Sequence, residues 1–260
     1  MTGGSREAPF DALAEQYDRQ RPHYPDQLYQ SLYELVAIHN SGTAVDAGAG
    51  TGIWLQGIIR QFGSGWRYIA VDISDGMATV GRRRWPQVEW RLGRVEEILG
   101  QLGPVDLVMA AQSLQWFDRP RFYEACGTSL CHRGVLAVVQ NNRAWTSSKF
   151  LDDYETLLEE GSPGYTRHYR SFDIESELAH LPWGSGAPAV RRLNWTRRMS
   201  VDDFIEMSNS STRAQAALKA DPTGFPDKVL TLCEKHAAGG GLDIPYVSEL
   251  FVQHKKGDLP

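Results

Sequence analysis

The sequence predicts an α/β protein: a doubly wound, mostly parallel sheet carrying an antiparallel late strand pair and a helical cap insertion. Three observations predict it. Segments with helical spacing alternate with short apolar runs, as a parallel sheet needs a crossover helix between neighbouring strands. The first apolar run, Ala44-Val45-Asp46-Ala47, passes directly into three glycines at alternate positions, Gly48, Gly50 and Gly52. The second, Tyr68-Ile69-Ala70-Val71, ends on Asp72.

Taken in chain order, residues 10–20 and 25–38 have apolar residues at helical spacing, with Asp26 entering the second helix after Pro25. Strands are expected at 43–46, 68–72, 88–92, 105–110 and 135–140, with helices between them at 53–62, 75–84 and 122–130. Residues 145–182 break the alternation. They hold a helix-like stretch at 150–160, the turn Gly161-Ser162-Pro163-Gly164, and the aromatic and basic run Tyr165-Thr166-Arg167-His168-Tyr169-Arg170. We read this segment as a cap that contributes specificity, since insertions on a rigid sheet commonly do; packing of its aromatics into a small core of their own is the plainer alternative. A strand pair follows at 190–199 and 246–254, with helices at 201–219 and 227–238 and a Gly239-Gly240-Gly241 break. The expected organisation is one domain over 1–260: a cofactor-binding core at 8–142, the cap at 145–182, and late strands and C-terminal helices at 183–260.

Composition narrows the function classes. A chain of 260 residues with 42% hydrophobic and 23% charged residues has the make-up of a globular protein with one large core. A net charge of −5 does not favour nucleic acid or anionic membrane surfaces. No apolar run reaches membrane-span length, and the first ten residues lack a signal-peptide core. Cys126, Cys131 and Cys233 cannot all pair and have no metal-ligand spacing, so no metal site is expected and a reducing cytoplasm is the simplest setting. Arg82-Arg83-Arg84, Arg191-Arg192 and Arg197-Arg198 could bind phosphate or RNA, but solvated helix and strand faces explain them in an acidic chain.

The glycine loop carries the chemistry. Glycine tolerates dihedrals other residues avoid and lets backbone approach a ligand, so this loop reads as a nucleotide-type cofactor turn. Its G-x-G-x-G spacing is tighter than the G-x-G-x-x-G dinucleotide fingerprint and does not require a pyrophosphate at the helix N-terminus. Asp72 lies where a ribose-binding carboxylate is expected, about 20 residues past the loop.

Several segments, in order, resemble the class I S-adenosylmethionine-dependent methyltransferases, which have a Rossmann-like fold. Residues 45–52 are similar to that family's first motif and Val71-Asp72-Ile73-Ser74-Asp75-Gly76-Met77 to its second. Gly93-Arg94-Val95-Glu96-Glu97-Ile98 is similar to the segment flanking the adenine, residues 105–117 to the fourth-strand motif, and residues 130–138 to the approach of the fifth strand. Residues 17–25 resemble the N-terminal element of a small-molecule branch that includes trans-aconitate methyltransferase. Two departures stand out: Arg94 replaces an acid that usually accepts from the adenine amino group, and Gln115 replaces a histidine before the tryptophan. A guanidinium only donates, so adenine recognition is expected to pass to backbone near Val95.

The resemblance implies S-adenosyl-L-methionine as cofactor, contacted by Tyr17, Arg21, Asp46, Ala47, Gly48, Gly50, Asp72, Ile73, Met77, Val95, Glu96, Ala111 and Gln112. It implies a small-molecule acceptor beside Tyr24, Gln115, Trp116, Trp145 and His168. Arg21 suits a carboxylate but equally a surface ion pair, and Trp116 suits the acceptor site but equally the core. No catalytic base is assigned, because His23, His132 and His168 have no carboxylate partner readable from spacing. Methyl transfer to oxygen, a carboxylate or hydroxyl, is the expected reaction, as in natural-product biosynthesis; the chain would act as a monomer or homodimer with no nucleic-acid or membrane partner. Alternatives are a lyase or cyclase using the same cofactor on the same fold, a nicotinamide-dependent oxidoreductase, and a non-catalytic accessory subunit. The absence of an Asn-Pro-Pro-Tyr or Asp-Pro-Pro-Tyr after the fourth strand disfavours a base-flipping enzyme.

Overall fold

A computed structural model describes residues 22–36, 41–169 and 172–257. The helix expected at 10–20, and with it Tyr17 and Arg21, lies outside the described residues. Helix α1 (Asp26–Val36) buries Leu28, Tyr29, Leu32 and Val36 along one stripe. It leads to β1 (Gly42–Ala47), α2 (Ile53–Phe62), β2 (Trp66–Asp72), α3 (Asp75–Arg84) and β3 (Glu89–Leu92). A single helical turn, α4 (Val95–Ile98), precedes β4 (Val105–Ala111), and α5 (Arg119–Ser129) precedes β5 (Leu130–Arg143). The local chemistry of α3 explains its arginines: Ser74 caps its first turn by accepting from the Met77 amide at 3.1 Å, Asp75 sits at the N-terminal end, and Arg82, Arg83 and Arg84 fill the last turn. These charges complement the helix macrodipole and stabilise it at each end.

The remaining elements are α6 (Lys149–Gly161), α7 (Ile174–Ala179), β6 (Ala189–Met199), α8 (Val201–Asn209), α9 (Thr212–Ala220), α10 (Gly224–His236) and β7 (Leu242–His254). The seven strands form one sheet in the order β3-β2-β1-β4-β5-β7-β6. Strands β1 to β5 pair in parallel, whereas β7 pairs antiparallel with β5 and β6, as expected for the late strand pair. Alternate strand residues feed two cores, because successive side chains point to opposite faces. Ala44, Tyr68 and Leu107 pack under α1 and α2 with Leu32, Trp54 and Ile58. Val45, Ile69 and Val108 pack on the other face with Phe122, Cys126 and Leu178.

Two departures from expectation bear on the site. Strand β5 continues past Gln140 through the polar run Asn141-Asn142-Arg143, because these residues find ladder partners in Ser248, Val247 and Tyr246. The helix expected at 201–219 is two helices. Ser211 caps α9 by accepting from the Ala214 amide at 3.1 Å, and the Ser210 hydroxyl donates back to the Met207 carbonyl at 2.7 Å; paired serines offer the backbone these alternatives to a continuous helix. The 145–182 segment packs in part on itself, with Trp145 edge to face on His168 and Arg167 paired to Asp152 and Glu159, and in part on later elements. Its helix α6 joins α8, α9 and α10 in a third core built on Phe150, Tyr154, Phe204 and Phe225, while Ile174 and Leu178 of α7 return to the sheet.

Candidate active site

The order of the strands reverses between β1 and β4, and ligands of such sheets bind outside the carboxyl ends of strands at that point. There the loop after β1 turns sharply. Gly48, Gly50 and Gly52 have φ of +67°, +58° and +80°, the left-handed region that glycine enters without the steric cost of a Cβ. Amides of Gly48 and Ala49 donate to the Val71 carbonyl at 2.8 and 3.0 Å. The Gly50 amide donates to one Asp72 carboxylate oxygen at 2.7 Å, and the Ser74 amide to the other at 2.8 Å. The Ser113 hydroxyl donates to the Ala47 carbonyl at 2.6 Å, tying the loop after β4 to the same structure.

These loops border one cavity of about 470 Å³ that reaches from the β1–β3 ends to the helical cap. On its acidic side lie Asp46, Gly48, Gly50, Asp72, Ile73, Met77, Val95 and Glu96, with Ala111 and Gln112 at the end of β4. Tyr24, Gln115, Trp116, Trp145 and His168 line the same cavity. Ala47 does not: it is fully buried in the core beneath the loop, because its position on β1 turns the methyl group away from the opening. Arg94 also lines the cavity, but its guanidinium meets Glu96 at 3.3 Å and Glu97 at 4.0 Å. The Glu96 carboxylate in turn accepts from the Asp118 amide at 3.0 Å.

Two features mark the site as built for a ligand. Asp46 is 1% exposed, and its Oδ2 has no hydrogen-bond partner among the described residues. Burial, with the nearby Asp72 charge, pushes its carboxyl up to about 8. Gln112 holds a φ of +57°, rare for a side-chain-bearing residue and a strain that clusters at functional sites. Its amide donates to Val139 at 2.9 Å, and its carbonyl accepts from Gln115 Nε2 at 2.7 Å. That bond leaves Gln115 Oε1 buried and unpartnered among the described residues.

The far end of the cavity includes residues that motif reading did not find. Arg143, on the extension of β5, pairs with Glu155 at 2.8 Å, and Glu155 also accepts from the Tyr165 hydroxyl at 2.6 Å. Arg167 pairs with Asp152 at 2.6 Å and Glu159 at 2.7 Å and stands 5.2 Å from the Trp145 ring centre. His168 meets Trp145 edge to face at 5.5 Å between centroids. Met207, Ser211, Thr212 and Arg213 arrive from α8 and α9.

Comparison with known proteins agrees with this architecture. A family model described as a methyltransferase domain matches residues 44–134. A methyltransferase-like protein of Schizosaccharomyces pombe is 31% identical over 206 residues, covering 77% of this chain and 76% of the relative. A candidate methyltransferase of Dictyostelium discoideum is 27% identical over 218 residues, 81% of this chain and 79% of its own length. Among solved structures, a candidate type II methyltransferase from Anaeromyxobacter dehalogenans shares the fold with a TM-score of 0.66 at 22% identity, covering 91% of this chain and 97% of that one.

The fold and the glycine-loop site thus define a class I, Rossmann-like methyltransferase. The chain belongs to the S-adenosylmethionine-dependent methyltransferases, and S-adenosylmethionine is its cofactor. The lyase or cyclase alternative is not favoured. Among the described residues, no helix is long and apolar enough to cross a membrane.

Proposed function

We infer that the chain methylates an oxygen, carboxylate or hydroxyl, of a small-molecule acceptor bound between the β4 loop and the cap. The observation that supports this reading most is the shape of the cavity: it runs from the Asp46 and Asp72 carboxylates, past Gln112 and Trp116, to a wall of cap side chains. Bound S-adenosylmethionine supplies a methyl already activated on a sulfonium, leaving the protein to position, desolvate and, where the acceptor requires it, move a proton.

In this reading Asp72, oriented by the Gly50 and Ser74 amides, accepts from the ribose hydroxyls. Asp46 places an unpartnered carboxylate oxygen where the cofactor's positive charge would be balanced. Exposed Ile73, the buried side chain of Glu96 and buried Val95 and Met77 enclose the adenine, with Ala111 and the strained Gln112 backbone at the junction with the acceptor. Gln115 Oε1 accepts a proton-bearing group of the acceptor, and Trp116, with its ring half exposed at the cavity wall, covers the acceptor and excludes water. Tyr24, packed edge to face on Trp54 at 4.7 Å, closes the other side. A carboxylate acceptor needs no base, because its oxygen is already ionised when it meets the methyl group.

The test is a screen of small carboxylic acids, alcohols, phenols and amines for release of S-adenosylhomocysteine, with products examined by mass spectrometry. Transfer to oxygen, with carboxyl esters recognised by their release of methanol under mild alkali, supports the reading. Transfer confined to amines, carbon acids or macromolecules overturns it.

A further inference from the structure

We propose that Arg213 is the anchor for an oxyanion on the acceptor, making the substrate an anionic small molecule whose carboxylate or phosphate-type group is held at the cap end of the cavity. The inference deepens the acceptor reading above and rests on it.

The cations of the cavity differ in one respect. Arg143 faces Glu155, Arg167 faces Asp152 and Glu159, and Arg94 faces Glu96, so each is neutralised within hydrogen-bonding or ion-pairing distance. Arg213 lines the same cavity with no carboxylate within 4.0 Å among the described residues; its Nη1 donates to the Thr212 hydroxyl at 2.7 Å. It is held between three aromatic rings, 4.7 Å from the Tyr169 centroid and 5.6 Å from those of Trp116 and Tyr165. Such rings fix the plane of a guanidinium without consuming its in-plane donors. Its position on the chain adds to the imbalance. Arg213 lies in the first turn of α9, where a cation opposes the macrodipole, so a bound anion relieves an unfavourable charge that no side chain relieves.

The two ends of the cavity therefore differ in sign, with the Asp72 carboxylate and the ionisable Asp46 at one and the Arg213 guanidinium at the other. A cofactor cation and an acceptor anion would be sorted to their own ends before they meet. Trp116, shared between Arg213 and the β4 loop, connects the anion anchor with the place where transfer would occur.

The experiment uses the full chain saturated with S-adenosylhomocysteine and follows calorimetric titration with benzoate, cinnamate, citrate and inorganic phosphate, with benzamide and cinnamamide as neutral counterparts. The expected result is saturable binding of at least one oxyanion, preferred over its amide where one exists. Arg213→Gln weakens that binding on the order of 10- to 100-fold, Arg213→Lys less, and neither changes S-adenosylhomocysteine affinity. Preference for phosphate over the carboxylates identifies the anion as phosphate-type, and the reverse as carboxylate. The assignment is overturned if no oxyanion binds, if amides bind as well as acids, or if Arg213→Gln leaves oxyanion binding unchanged. It is equally overturned if Arg213→Gln weakens S-adenosylhomocysteine by the same factor, since the anion held would then be the cofactor's own carboxylate. Methylation of an amine on an acceptor whose anion still depends on Arg213 would remove the oxygen target and leave the anion site standing.

Discussion

The Gly50 amide and the Asp72 carboxylate are joined by a 2.7 Å hydrogen bond across 22 residues of sequence. The turn after β1 and the acid ending β2 are therefore one structural unit. A carboxylate held by two backbone amides, from Gly50 and Ser74, has its orientation set before any ligand arrives. That preorganisation is what the proposed role of Asp72, binding a ribose diol, requires.

The glycines of this unit should respond differently to substitution. A Cβ on Gly48 would come within 2.6 Å of Ser113 Cβ, whereas one on Gly50 would meet no protein atom within 4 Å. Gly48→Ala is expected to cost about 2 kcal/mol or more from overpacking and backbone strain together. Gly50→Ala should cost only the strain, about 1 kcal/mol, yet reduce cofactor affinity at least tenfold, on the order of 1.4 kcal/mol, because the added methyl enters the cavity. Urea unfolding and calorimetry on both variants check the contrast.

Asp46 gives a pH signature with a definite sign. Its folded carboxyl is raised to about 8 by burial and by Asp72, so the unliganded fold gains from it below the ordinary carboxylate value near 4. That gain is lost as pH rises toward 8. A cationic ligand needs the ionised form. Affinity for S-adenosylmethionine should therefore increase between pH 6 and 8 by up to about tenfold per unit, with a proton released on binding at pH 7. Calorimetry in buffers of different ionisation enthalpy measures that release, and Asp46→Asn should abolish this component.

The ion pair between Arg143 and Glu155 underlies the cap. Glu155 is 4% exposed and also accepts from Tyr165. Glu155→Gln leaves Arg143 without its counter-charge and should destabilise the fold by about 3 kcal/mol, the low end for removal of one member of a buried pair, because the Arg143 side chain is 24% exposed. An unchanged denaturation midpoint would show the pair to be solvent-compensated.

The part of the site that was readable in the sequence is the part made from contiguous motifs. Gly48, Gly50 and Asp72 declare themselves because backbone conformation and strand ends impose residue types at short, regular spacing. The Asn141-Asn142-Arg143 extension did not, since a polar run looks like a strand end unless the antiparallel partner at Tyr246–Ser248 is known. Arg213 was hidden for a similar reason. It reaches the cavity only because two serines break a helical pattern that otherwise continues, and because α9 packs on α6, more than fifty residues earlier in the chain. Ala47 shows the converse: membership of a motif does not place a side chain on the ligand side of its strand.

The most direct test of the central claim is calorimetric titration of S-adenosylhomocysteine into the wild-type chain and Asp72→Asn, with NAD titrated in parallel. Saturable binding to the wild type and none of NAD is expected. Affinity should fall roughly 10- to 100-fold in the variant, whose unfolding transition remains cooperative. Equal affinity in the two proteins, or NAD binding at the same site, would contradict the claim.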